Sequence, residues 1–276
     1  MKRVWLALTI LTACVAGCQP NKFESTPDLR QQGEIIMGGD KKGDESAVGY
    51  NVQLKLKLAA IEAPIGTISD SEELWSYLDE ESIRPLGKAG LGRNGIRVGI
   101  GKIDTWDDLA SILEDLTGRP FDEDIKFAEL GKPLALRLKK DEPVKTVFVS
   151  FDDRSLSGKD YPPGDHVLAV SFSVDPDDRS QVMLTAVPQI HSSYRPLTYE
   201  KSPSGYAAVN KPTIFSLFPL AFQLRMPRRD FLLIGPTSEA RRPTSAGNNL
   251  FVYTREGMQF ETVYVLVPEL VIQPAR

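Results

Sequence analysis

Val52, Leu54, Leu56 and Leu58 alternate with Gln53, Lys55 and Lys57. That period of two predicts a half-buried strand starting at Tyr50. Pro64 and Gly66 end it, and Ser69 to Glu73 carry the capping and acidic residues of a helix start. Leu74, Trp75 and Leu78 then form a short buried face, and Pro85 stops the helix. Asn94-Gly95 is a tight-turn signal, followed by Ile96, Val98 and Ile100 alternating as a second strand. Thr105 caps a second helix, with Trp106, Leu109, Ile112 and Leu113 on one face and Asp107, Asp108, Glu114 and Asp115 on the other. Gly118-Arg119-Pro120 ends it, so the order to this point is β-α-β-α.

From about Ile125 the pattern becomes almost all strand. Expected strands are Leu134 to Leu138, Thr146 to Phe151, Val167 to Val174 and Val182 to Gln189. After an interval rich in Pro and Tyr come Ala221 to Met226, Phe231 to Ile234, Leu250 to Tyr253 and Thr262 to Val267. The links carry Asp, Pro and Gly, as in Pro162-Pro163-Gly164-Asp165, which argues for antiparallel hairpins. The expected fold class is α+β. A small βαβα-type portion at 50–145 is followed by a mainly antiparallel β portion at 146–276.

The stretch before Tyr50 has a different grammar. Lys2 and Arg3 precede an apolar run from Val4 to Ala13, and the small residues Ala16 and Gly17 lead into Cys18. This is the layout of a secretory leader. The run is too short for an uncleaved span of about twenty apolar residues. Residues 18–49 are Gly-, Asp-, Lys- and Ser-rich with little periodicity, which predicts a flexible tether.

The leader resembles a bacterial lipoprotein signal. The resemblance implies that 1–17 is removed and that Cys18 becomes the lipid-modified first residue, bearing fatty acyl chains such as palmitate. Leu11-Thr12-Ala13-Cys14 fits the same pattern but leaves a shorter leader, so Cys18 is the expected anchor. Gln19 after the cysteine is consistent with delivery to the outer membrane, facing the periplasm. The membrane, reached through lipid, is thus one expected partner.

Charge and cysteine content narrow the picture. Of 276 residues, 33 are basic and 37 acidic. Loss of Lys2 and Arg3 leaves a net charge of about −6, which disfavours nucleic acid as a partner. Both cysteines precede residue 19, so a lipidated mature chain has neither a free thiol nor a disulfide. Its fold then rests on its core, for which the remaining length is ample.

No reactive constellation stands out. Gly90-Leu91-Gly92-Arg93-Asn94-Gly95 spells G-x-G-x-x-G, but a helix precedes and a strand follows, the reverse of a dinucleotide loop. It reads as a turn. His166 and His191, the only histidines, lie at expected strand ends without a zinc spacing. Asp175-Pro176-Asp177-Asp178 lacks the later ligands of a calcium loop and reads as a hairpin turn. No catalytic residue, metal site or cofactor is expected. The segment with Tyr194, Tyr199, Tyr206, Phe215, Phe218 and Phe222 reads as a loop packed over the sheet or as a binding surface.

The C-terminal strands resemble the β-domain of secretins, the outer-membrane rings of secretion and pilus systems. Gln181 to Gln189 is similar to their strand of the form valine-x-leucine-x-valine-x-proline, and Phe231 to Gly235 to their leucine-valine-isoleucine-glycine strand. Glu261 to Val271 is similar to their closing strand, with Val267-Pro268-Glu269 where that strand has Thr-Pro-Arg. The whole chain also looks like an uncharacterised family of bacterial envelope proteins. The function these features imply is a non-enzymatic scaffold or interaction module of the cell envelope, linked to a secretion or pilus assembly, with an envelope protein as partner. An envelope hydrolase using a carboxylate pair and a periplasmic ligand- or polysaccharide-binding module are the alternatives.

Overall fold

The computed structural model describes residues 50–274, apart from 88, 119, 121, 122, 130, 152–154, 176, 177, 179, 203 and 204. The expected leader, tether and Cys18 lie outside the described residues.

The elements run β1 (Tyr50–Pro64), α1 (Glu72–Ser76), β2 (Leu78–Asp79), β3 (Arg84–Pro85), β4 (Ile96–Gly101), α2 (Trp106–Thr117), β5 (Glu123–Glu129) and β6 (Leu134–Glu142). They continue with β7 (Lys145–Ser150), β8 (Leu156–Tyr161), β9 (Gly164–Val174), β10 (Gln181–Ser192), β11 (Leu197–Ser202) and β12 (Gly205–Asn210). The last are β13 (Ile214–Ser216), β14 (Phe222–Pro227), β15 (Phe231–Pro236), α3 (Ala246–Phe251), β16 (Val252–Arg255) and β17 (Met258–Pro274).

Two antiparallel sheets organise the chain. The first runs β2-β4-β15-β17-β1-β5, with β16 on β17. The second runs β3-β14-β10-β9-β6, with β13 on β10. Strands from before and after residue 145 are neighbours in both sheets: β1 pairs β17 along its whole length, and β6 pairs β9. The expected division at 145/146 therefore does not coincide with a break in hydrogen bonding, and the described residues fall within one compact unit.

Alternation explains the layers. On β15, Leu232 and Ile234 enter the core shared with Leu168, Val170 and Phe172 of β9 and with Leu184 of β10. Phe231 and Leu233 face the other way, into a second core with Leu74 and Trp75 of α1 and Leu109 and Leu113 of α2. The first sheet is thus covered on both faces, which is why Phe231 to Ile234 is a continuous apolar run. The second sheet covers one face and the helices the other. Gly101 makes room for this packing. A Cβ there would lie 2.0 Å from the Phe231 ring, which stands edge-on to Trp106 at 5.1 Å.

Two polar residues tie loops to this frame. Glu261 is buried, and its carboxylate accepts from the backbone N–H groups of Ile68 (2.6 Å) and Ser69 (2.8 Å). Asn94 is buried at the end of the glycine-rich turn. It donates to the carbonyls of Gly90 and Ser150 (both 2.8 Å) and accepts from Ser150 N–H at 2.7 Å. The G-x-G-x-x-G stretch is accordingly a structural turn, closed by Gly95 at φ 81°.

Two local expectations need correction. The first helix ends at Ser76, and Leu78 pairs with Gly101 as part of β2. Leu250 and Phe251 belong to a helix, not a strand. Ser245 caps it by accepting from Asn248 N–H at 3.1 Å, and strand pairing starts only at Val252.

Candidate functional site

The interval rich in Pro and Tyr splits into two environments. Phe222 is fully buried, and Phe215 packs edge-on against Tyr161 at 5.7 Å. The other half projects. Among the described residues, β11 and β12 form a two-stranded sheet joined to neither large one. Opposite pairs share a face, so Leu197, Tyr199 and Lys201 lie with Asn210, Ala208 and Tyr206 respectively. Tyr199 is 68% exposed and Tyr206 77%, and they are diagonal neighbours on that face. Leu197 and the preceding Tyr194 are exposed as well. The opposite face, with Thr198, Glu200 and Ala207, also meets solvent. Arg195, Lys201 and Lys211 outnumber Glu200 here, and Glu200 takes Lys211 at 2.7 Å. A two-stranded hairpin with no covered face has little intrinsic stability in water.

A second site lies where the two large sheets open around the end of α3. It is a cleft of about 360 Å³ lined by Glu62, Lys139, Glu142, Tyr253, Thr262 and Tyr264 among others. Lys139 reaches it through a defect in β6. A register shift between Arg137 and Lys139 inserts one residue, and Lys139 comes to lie opposite His166. Its Nζ donates to the carbonyl of Asn248 at 2.9 Å and to that of Val252. These carbonyls close the C-terminal end of α3, where a cation is favoured. Burial pushes the Lys139 ammonium down to about 8, partly offset by Glu142. His166 points at the same helix end, with Nδ1 at 2.5 Å from Asn249 O. A carbonyl only accepts, so Nδ1 carries the proton. Burial holds the His166 imidazole below its ordinary range.

Both carboxylates of the cleft are salt-bridged, Glu62 to Arg255 at 3.1 Å and Glu142 to Lys145 at 3.5 Å. A glycosidase pair sets one acid in apolar surroundings beside an ionised partner, and neither residue sits that way. Tyr253 Oη is buried without a hydrogen-bond partner among the described residues, while Tyr264 Oη donates to Leu138 O at 2.9 Å.

The structure does not bring the two histidines together in a shared site. His191 Nε2 meets Gln189 Oε1 at 2.8 Å, and His191 stands opposite Asp165 in the ladder. Among the described residues, no group of three or more His, Cys, Asp or Glu is arranged to hold a metal. Asp178 accepts from Ser180 N–H, Ser180 Oγ and Gln181 Nε2, the bonding of a tight turn. Asp175 is buried against Arg225 at 3.2 Å.

No protein-family model matches this sequence, and no curated protein sequence does. Among solved structures, the chain is similar at 12% identity and a TM-score of 0.25 to the Salmonella SPI-1 type III secretion injectisome secretin InvG, over 82% of this chain and 66% of that one. An atomic model of the injectisome basal body proteins InvG, PrgH and PrgK gives the same identity, TM-score and share of this chain, over 46% of that chain. The InvG secretin-domain β-barrel gives a TM-score of 0.22 at 12% identity, over 82% of this chain and 64% of that one. The chain spans about half to two thirds of the length of these proteins.

Proposed function

We propose that the chain is a lipid-anchored, non-enzymatic interaction module of the cell envelope, attached to a secretion or pilus assembly, with the β11–β12 hairpin as its docking element. The observation that carries this reading is the placement of Leu197, Tyr199 and Tyr206 on a hairpin outside both cores. Exposed aromatics with no packing duty favour a binding role. The strand motifs similar to the secretin β-domain add support. All three lie in strands, and Phe231–Gly235 is hydrogen-bonded to Glu261–Val271 through Leu232–Leu266 and its neighbours.

The test is a photocrosslinking residue at Tyr199 or Tyr206 in living cells. The expected result is an adduct with another envelope protein, richer than that from exposed Glu256. Equal adducts at the three positions overturn the docking role. The anchor is tested separately by fatty-acid labelling: Cys18→Ser abolishes label and membrane retention, and Cys14→Ser leaves both intact.

The same aromatic row supports a second reading, a polysaccharide-binding module in which sugar rings stack on Tyr199 and Tyr206. Co-sedimentation with isolated envelope glycan, lost on Tyr199→Ser, selects that reading over protein docking.

A further inference from the structure

β5 is one of the two edge strands of the first sheet. Among the described residues β5 pairs only with β1. Among these residues no second strand is paired to its outer row of N–H and C=O groups. The pairing with β1 runs unbroken from Gln53–Glu129 to Ala59–Glu123, so no bulge twists the edge away, and the strand holds no proline. These are the usual devices by which a sheet edge is blunted.

The side chains along this edge are not those of a plain solvent strand. Ile125 is 48% exposed and Phe127 63%. They stand beside Lys57 and Lys55 on the face that carries α1 and α2 further along. Ala59 and Val265, opposite one another, are buried in that helix-side core. One pair further along, Ile125 lies outside it. On the other face of β5, Asp124 and Lys126 pair with each other at 2.5 Å, both well exposed.

The strand is complementary to itself. Set antiparallel to a second copy with Ile125 opposite Ile125, it places Asp124 opposite Lys126 of the other copy, and Lys126 opposite Asp124. Directly opposed residues of an antiparallel pair share a face, and opposite charges there are favourable. In the same register Phe127 falls diagonal to Ile125 of the other copy, so the two exposed apolar side chains of each copy meet across the axis. The charge pair that guards the edge of one copy becomes the pair that sets the register of two.

We propose that β5 is a homodimerisation edge, joining two copies about a twofold axis at Ile125 into one continuous sheet. The arrangement is isologous, as a twofold requires. Two short strands bury less than a standard interface, so the dimer is weak and concentration-dependent. It is independent of the hairpin and of any partner bound there.

The test uses the full chain in detergent with Cys14 and Cys18 replaced by serine, so that an introduced cysteine is the sole thiol. Ile125→Cys places two thiols at the axis and is expected to form a disulfide dimer under mild oxidation. Phe127→Cys places them about 13 Å apart along the strand, beyond the reach of a disulfide. Crosslinking at 125 at least about tenfold faster than at 127 supports this register. Equal rates, or no crosslink at either, overturn it. Sedimentation of the cysteine-free parent gives the second readout. A dimer that grows with concentration and is lost on Ile125→Lys supports the proposal. A parent that stays monomeric, or a dimer that survives Ile125→Lys, overturns it.

Discussion

β15 and the β11–β12 hairpin are both short, regular antiparallel elements, yet they use apolar residues in opposite ways. Phe231, Leu232, Leu233 and Ile234 are each at most 1% exposed, held between the helix layer and the second sheet. Tyr199 and Tyr206 are largely in water on a ribbon with no cover. The first set holds the fold, and its removal should be felt everywhere. The second set contributes little to the fold, so its removal should be felt only by whatever the hairpin meets. Apolar content alone does not separate these roles. What separates them is whether a layer lies over the residue.

The largest expected effect comes from the covered region. Phe231→Ala removes a fully buried ring and leaves a cavity against Trp106, with an expected loss of about 3–5 kcal/mol in urea unfolding. If Phe231→Ala unfolds at the parental midpoint, the two-core description is wrong. Next comes Glu261→Ala, which strands the buried N–H groups of Ile68 and Ser69. It should cost about 2–4 kcal/mol, and Glu261→Gln, which keeps an acceptor, should recover much of that.

The cleft contributes a pH-dependent effect. Between the ordinary lysine value and about 8, the unfolded chain holds a proton at Lys139 that the folded chain has given up. Unfolding free energy must therefore rise as pH rises through that window, by about 2 kcal/mol from pH 8 to 10. Above pH 10 the gain is opposed by Tyr264, whose phenolate is disfavoured by burial. Lys139→Met should flatten the slope. On the acid side, His166 resists protonation in the fold, so stability falls as pH drops below about 6.5. Burial holds His191 low as well, so His166→Gln should reduce that decline and His166→Gln with His191→Gln should remove it.

The smallest effect on stability should be at the hairpin. Tyr199→Ala and Tyr206→Ala should shift the unfolding midpoint by less than about 0.5 kcal/mol while abolishing crosslinks to a partner. A loss as large as that of Phe231→Ala would show that the hairpin is covered after all.

The elements of the cores were largely legible in the sequence because their apolar periods are strong. The alternation in β1 and β4, the apolar face of α2 and the continuous run in β15 each follow from burial on one face or two. The cleft was not legible. Leu134, Leu136 and Leu138 alternate, which directs Lys139 to solvent, and only the inserted residue in β6 turns it onto the end of α3. A bulge of that kind leaves no compositional mark. Leu250 and Phe251 misled for a related reason, since a short apolar run does not reveal whether Ser245 caps a helix before it. The exposure of the hairpin was half legible. Tyr and Pro marked the interval, but the sequence does not state which aromatics find a covering layer.

Among the described residues, the longest ladder joins β1 to β17, from Tyr50–Pro274 to Pro64–Phe260. Its two halves are made at different times. At about 5–20 residues per second, roughly 10–40 s of synthesis separate the first strand from the mate it needs. Until then β1 lacks its central partner, and such distant contacts close slowly once both are present. A chain with this clasp stays open through most of its synthesis and shuts only once its closing strand has been made.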